Sequence, residues 1–183
     1  MPPLRHNGHM IRDATPADAA AVAAIYNHYI EHTTITFEAD VLSDDDMRTR
    51  IAKTESAGFP WLVWDDAGKV RGYAYASKFR DRAAYRYTAE ATIYLAPGAS
   101  RRGIGSRLYS ELIARLRAGG SHRVLGVIAL PNPASVALHK SLGFTHVGSF
   151  SEVGRKFGRW IDVGFWQLRL DDGRPHGAES ATD

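Results

Sequence analysis

Between residues 88 and 106 the chain reads TAEATIYLAPGASRRGIGS, a strand pattern running through a glycine turn into a helix pattern. Residues 88–95 alternate strictly. Ala89, Ala91, Ile93 and Leu95 share one face, and Thr88, Glu90, Thr92 and Tyr94 share the other. From 103 to about 118 the period changes to that of a helix, with Ile104, Leu108, Leu112, Ile113 and Leu116 on one side and Gly119-Gly120 as the stop. Two glycines at the junction let the backbone come close to a ligand. The first turn of a helix presents unpaired N–H groups that suit a phosphate. Arg101 and Arg102 add positive charge beside them and Ser106 a hydroxyl, so an anionic diphosphate is the natural guest. The plain alternative is a tight turn with two solvated arginines. The segment lacks the Gly-Lys-Ser/Thr element of a triphosphate loop, and its glycine spacing is too short for a dinucleotide fingerprint.

The rest of the chain places this unit inside one domain of about residues 10–170, with residues 1–9 as a loose extension and 171–183 as a polar, frayed tail. Thr15 can cap a helix that starts at Pro16, with Asp18 at its third position and Val22, Ile25, Tyr26 and Tyr29 on one face. A second helix is predicted over 43–54, with three aspartates in its first turn. Strands at 61–64 and 70–76 flank a turn at Asp65-Asp66-Ala67-Gly68. A buried strand covers 123–129, and Asn132 caps a helix that begins at Pro133 and stops at Gly143. Two antiparallel strands end the domain, the last over 160–170, with 154–158 in their connection. Strand, two helices, three strands, helix, strand, helix and strands make a mixed α/β domain rather than a doubly wound one.

Composition narrows the chemistry. The chain has no cysteine, which removes disulfides, thiolate nucleophiles and cysteine metal sites and fits a cytoplasmic location. Its net charge of +3 is spread along 183 residues, which suits an anion groove better than nucleic acid. No run of eighteen apolar residues is present to span a membrane, and the N-terminus carries no signal-peptide pattern. The eight histidines show no ligand spacing, so no metal is expected.

Residues 100–105 resemble the pyrophosphate motif of the GCN5-related N-acetyltransferase (GNAT) superfamily. The two glycines stand at Gly103 and Gly105, and Ser100 departs from the usual Gln or Arg. Segments IRDAT at 11–15, YNHYIE at 26–31, WLV at 61–63, YTAE at 87–90 and DVGFWQ at 162–167 occur in the order of the phosphinothricin and methionine sulfone acetyltransferase branch. The resemblance implies a single-domain GNAT fold with a mixed, mostly antiparallel sheet flanked by helices and splayed at an acetyl-CoA site. It implies that the strand ending at Leu95 parts from the strand near Arg123, with backbone around Ile93 and Leu95 pairing with the pantetheine arm like an added strand. Asn132 resembles the family asparagine that contacts the cofactor, and it can also remain a helix cap.

Amine acetylation needs a base for the amine proton. Glu90, mid-strand among Thr88, Thr92 and Tyr94, is the candidate, and the resemblance assigns it that role. A solvated edge glutamate is the plain alternative. His139 stands where many relatives place a tyrosine, and three roles stay open for it: proton donor, hydrogen-bond partner of CoA, or helix surface. Tyr109 matches no family acid and receives no role. A small amino-acid substrate with an acidic group would meet Arg80 and Arg82, whose forked guanidinium groups match a carboxylate or phosphinate. The alternative there is a solvated charged loop. Tyr85 and Phe37 are further pocket candidates. Phosphinothricin, methionine sulfone and methionine sulfoximine are the substrates the branch implies, and a homodimer its assembly. Rival readings are acetylation of a polyamine or a protein N-terminus, a non-catalytic CoA-binding regulator, and a structural domain without nucleotide.

Overall fold

The computed structural model describes residues 4–6, 9–99 and 103–170. Among the described residues eight strands form one sheet: β1 (Leu4–His6), β2 (His9–Asp13), β3 (Trp61–Asp66), β4 (Lys69–Lys78), β5 (Thr88–Leu95), β6 (Arg123–Leu130), β7 (Thr145–Lys156) and β8 (Arg159–Arg169). Their order across the sheet is β1-β2-β3-β4-β5-β6-β8-β7. Every neighbouring pair is antiparallel except β5 and β6, which are parallel. A parallel pair needs a crossover, and α3 (Ile104–Ala118) provides it.

Helices cover both faces, which is why the first four residues of β3 read Trp-Leu-Val-Trp without a polar residue. Trp61 and Val63 pack with α1 (Ala19–His32) and α2 (Asp44–Ser56), where Val22, Ile25, Ile30, Met47 and Ile51 are buried. Leu62 and Trp64 face the other way, into the core formed with Leu108, Leu112 and Leu116 of α3. On that face β4 and β5 contribute the small residues Ala74, Ala76, Ala89 and Ala91, all buried, so α3 can lie close against them there.

Local signals decide the boundaries. Ser43 accepts the Asp46 N–H at 3.1 Å while its own N–H donates to the Asp46 carboxylate at 3.0 Å, a reciprocal cap for α2. Asn132 accepts the Ser135 N–H at 3.1 Å and Pro133 opens α4 (Pro133–Ser141). Several boundaries differ from expectation, among them the β3–β4 turn, which is Ala67-Gly68 alone because Asp65 and Asp66 pair with Val70 and Lys69. Pro16–Asp18 form a 3₁₀ turn, and the α-helix starts only at Ala19. Leu4–His6 pair with His9–Ile11, so the sheet begins ahead of Met10. β7 continues to Lys156, so Gly154 is a strand residue. The turn is Phe157-Gly158, both at positive φ, as a two-residue hairpin with right-handed strand twist requires.

Candidate active site

The ladder between β5 and β6 is short. It pairs Thr88 with Arg123, Ala89 with Val124 and Glu90 with Leu125, and the strands then part. Two side chains stand where the ladder would continue. Tyr109 of α3, fully buried, donates its hydroxyl toward the Ala91 carbonyl at 3.2 Å. His139 of α4, 3% exposed, lies against β6 at Gly126, where a Cβ would come within 2.3 Å of its Nε2. Only glycine leaves room for that imidazole. The two rings also meet each other edge to face, with Tyr109 Oη 3.1 Å from His139 Nε2.

The hydrogen bonds define the tautomer. His139 Nδ1 is 2.8 Å from the Ser135 carbonyl oxygen, which can only accept, so Nδ1 carries the proton. Burial pushes the imidazole pKa down, toward the neutral ring, in which Nε2 is an acceptor. Tyr109 therefore has one proton for two acceptors, Nε2 and the Ala91 oxygen. Burial also raises the Tyr109 hydroxyl far above its ordinary range, which keeps that proton in place.

Beyond this point the strands enclose a groove of about 590 Å³. Ile93, Leu95, Gly103, Gly105, Ser106 and Asn132 all line it, and His139 reaches it as well. The Ala91 and Leu95 carbonyls accept hydroxyls rather than strand partners, the latter from Tyr29 at 2.7 Å. By the two-residue period of a strand, the Ile93 backbone between them faces the same open side. Among the described residues no strand pairs with β5 there beyond Glu90. Of the two backbone positions expected to receive a ligand, Ile93 is open and the Leu95 carbonyl is engaged by Tyr29. At the groove's end the chain enters α3 through Gly103 at φ +73°, a left-handed conformation that favours glycine. Ser100, Arg101 and Arg102 lie outside the described residues. A separate hollow of about 550 Å³ beside α3 shares Ser106 but is otherwise lined by such residues as His9, Trp64 and Glu111.

Glu90 occupies the fork itself, opposite Ser77 of β4, on the sheet face that carries Tyr94 and Tyr75. Half-buried and without a hydrogen bond from the described side chains, its carboxyl is pushed up by burial. On the same face a cavity of about 290 Å³ is lined by Tyr26, Arg50, Lys53, Tyr75, Ser77 and Lys78 among others. Arg80, Arg82 and Tyr85 lie in the β4–β5 connection, which enters β5 at Thr88, two residues before Glu90. Both arginines are exposed. The Arg80 guanidinium stands 5.0 Å from the Phe79 ring centre, and Tyr85 meets that ring edge-on. Neither arginine, nor Tyr85, borders the groove or the cavity. Phe37 is 44% exposed and its ring lies on Gly154 of β7.

Two residues escaped the sequence reading. Tyr109 looks like any apolar position of α3, and its role exists only because the topology brings Ala91 and His139 to it. Tyr29 sits on the face of α1 that the helical period already marked. That α1 face also meets Tyr94 of β5, whose ring lies 5.1 Å from Tyr26 and 5.0 Å from Tyr29.

The arrangement defines a class: an α/β domain whose sheet forks between its parallel strands, with a helix start at the open end, shaped for an extended anionic ligand. Residues 11–164 match the family model described as an acetyltransferase (GNAT) domain, and the chain belongs to the GNAT superfamily, close to the phosphinothricin and methionine sulfone/sulfoximine acetyltransferase branch. It is 43% identical over 157 residues to a phosphinothricin N-acetyltransferase of Streptomyces viridochromogenes, covering 86% of this chain and 85% of that one. It is 39% identical over 171 residues to an L-methionine sulfoximine/L-methionine sulfone acetyltransferase of Salmonella typhimurium, covering 93% and 98%. A phosphinothricin acetyltransferase from Sinorhizobium meliloti, solved in complex with AcCoA, superposes with a TM-score of 0.87 at 39% identity, covering 96% of this chain and 92% of that one.

Proposed function

We propose that the protein transfers the acetyl group of acetyl-CoA to the primary amine of a small amino acid such as phosphinothricin, methionine sulfone or methionine sulfoximine. The observation that carries this reading is the fork: β5 and β6 part immediately after Glu90, and a groove of about 590 Å³ opens there. The residues present fit the ligand. The groove volume is in the range of small-molecule sites, about 300–1,000 Å³. Ile93 offers an open backbone edge to an extended amide-bearing arm. The first turn of α3, with Gly103, Gly105 and Ser106 on the groove, offers N–H groups to a diphosphate. Asn132 borders the same groove while it caps α4.

Acetyl-CoA supplies an acetyl group already activated as a thioester. Glu90 takes the amine proton on a carboxylate oxygen, directly or through one water. Burial raises its affinity for protons, which strengthens it as a base. Tyr109 and His139 keep the fork open and present a hydroxyl proton beside it. Arg80 and Arg82, at the mouth of the connection leading to Glu90, meet the acidic group of the substrate, with Tyr85 and Phe37 as apolar neighbours.

The test is a panel of amines with free thiol as the readout. Thiol release with methionine sulfone, methionine sulfoximine or phosphinothricin, well above that with spermidine or an alanine-terminated peptide, is the expected outcome. Preference for spermidine or the peptide would overturn the substrate class, and no release with any amine would overturn the activity.

A further inference from the structure

The connection between α1 and α2 is tied down in three places. At its start Thr33 donates its hydroxyl to the Tyr29 carbonyl at 2.8 Å and accepts the Ile35 N–H at 3.2 Å. At its end the Asn27 side chain donates to the Leu42 carbonyl and accepts the Leu42 N–H, both at 2.9 Å. In the middle Thr36 and Glu38 share the Tyr26 hydroxyl at 2.7 and 3.0 Å, and Arg50 grips Glu38 with two bonds of 2.6 and 2.9 Å. Tyr26, Asn27 and Tyr29 belong to α1 and Arg50 to α2.

A further set of contacts comes from a part of the chain 120 residues away. Lys156, 8% exposed, donates its Nζ to the Thr36 carbonyl at 2.9 Å. Two residues earlier on the same face of β7, Gly154 seats the Phe37 ring, and a Cβ there would come within 2.3 Å of the ring. The strand is bent to deliver them. Between Phe150 and Gly154 the register with β8 slips, Glu152 takes φ +52°, and its N–H is satisfied by the Asp162 carboxylate at 2.8 Å. Such a bulge re-aims the residues that follow it. A buried ammonium is costly to desolvate, so a lysine placed on a main-chain carbonyl in this way has a local purpose.

We propose that Gly154 and Lys156 form a latch that fixes Thr36 and Phe37, making Lys156 a positioning residue for the amine substrate. The inference rests on the reading above in which Phe37 neighbours the amine. Ile35, which borders the acetyl-CoA groove, is held by Thr33 and does not depend on the latch. The latch therefore acts on the amine side alone.

The experiment compares Lys156→Met, which keeps the stem and removes the donor, with Lys156→Arg, which restores one. Gly154→Ala is a second route, since its Cβ must evict the Phe37 ring. In Lys156→Met and Gly154→Ala the KM for the amine should rise about tenfold, the size of one lost charged hydrogen bond. The calorimetric Kd for acetyl-CoA should stay within about twofold, and Lys156→Arg should recover most of the amine KM. Amide hydrogen exchange over residues 34–38 should quicken in both disrupting variants. Unchanged exchange in these variants, or equal losses for amine and acetyl-CoA, would overturn the latch. Should the wild type acetylate no amine while exchange still quickens in Lys156→Met, the latch stands and the functional reading above fails.

Discussion

Glu90 is the last residue of β5 to find a partner on β6, and its side chain sits half-buried with nothing among the described residues to pair its charge. Replacing it by Gln keeps size and hydrogen-bonding reach and removes the carboxylate proposed as the base. The rate of acetyl transfer should fall by about 10²–10⁴-fold with acetyl-CoA affinity intact. The loss should depend on pH. Near the pKa of the substrate amine a large share of the amine is already neutral, and the variant suffers least. As pH falls from there the loss widens. It closes again below the raised pKa of Glu90, where the wild-type carboxyl is itself protonated and no longer a base. The pH profile of kcat/KM for both proteins checks this, and superimposable profiles would leave Glu90 a structural residue. The opposite faces of β5 were legible in the sequence because strand alternation is strict there. That Tyr109 and His139 would meet was not, because their 3.1 Å contact spans 30 residues and depends on how α3 and α4 land on the sheet.

Among the elements, β6 carries a sharp packing constraint. His139 occupies the space that any Cβ at Gly126 would need. Gly126→Ala should force the imidazole off its place, break its contact with Tyr109 and leave buried polar atoms unpaired. A loss of about 1–3 kcal/mol is expected from overpacking, read as a lower denaturant midpoint with unchanged slope. The same variant should acetylate more slowly, and wild-type stability and rate together would contradict the packing. Local signals predicted the bounds of β5, α3 and α4 well because caps, prolines and glycines sit at their ends. β7 was misread for the same kind of reason. Gly154 and Gly158 bracket what looks like a loop, yet Gly154 is a strand residue whose missing side chain makes room for Phe37. A glycine that serves a turn and one that serves a distant ring look alike in sequence.

At the level of the whole molecule, the sheet holds together by antiparallel pairing everywhere except at one parallel junction, and that junction is where it opens. The order of elements was enough to predict a mixed α/β domain, and the resemblance supplied the fork. For Arg80 and Arg82 the chain left a substrate contact and a solvated charged loop both open, and the two arginines lie on an exposed connection that borders neither cavity, because loop side chains take their positions from the strands that carry them. The opening between β5 and β6 is the site proposed here for acetyl-CoA. Gly105 offers the cleanest way to block it. A Cβ there meets Leu95 and Leu138 at ordinary contact distances, 3.6 and 3.7 Å, so the helix can accept a side chain that then extends among groove-lining residues. Isothermal calorimetry of acetyl-CoA with the wild type and with Gly105→Leu, both shown to be folded, measures this directly. One site per chain is expected in the wild type and a loss of at least about 100-fold in affinity in the variant, about 2.7 kcal/mol. Equal affinity in the two proteins would contradict it.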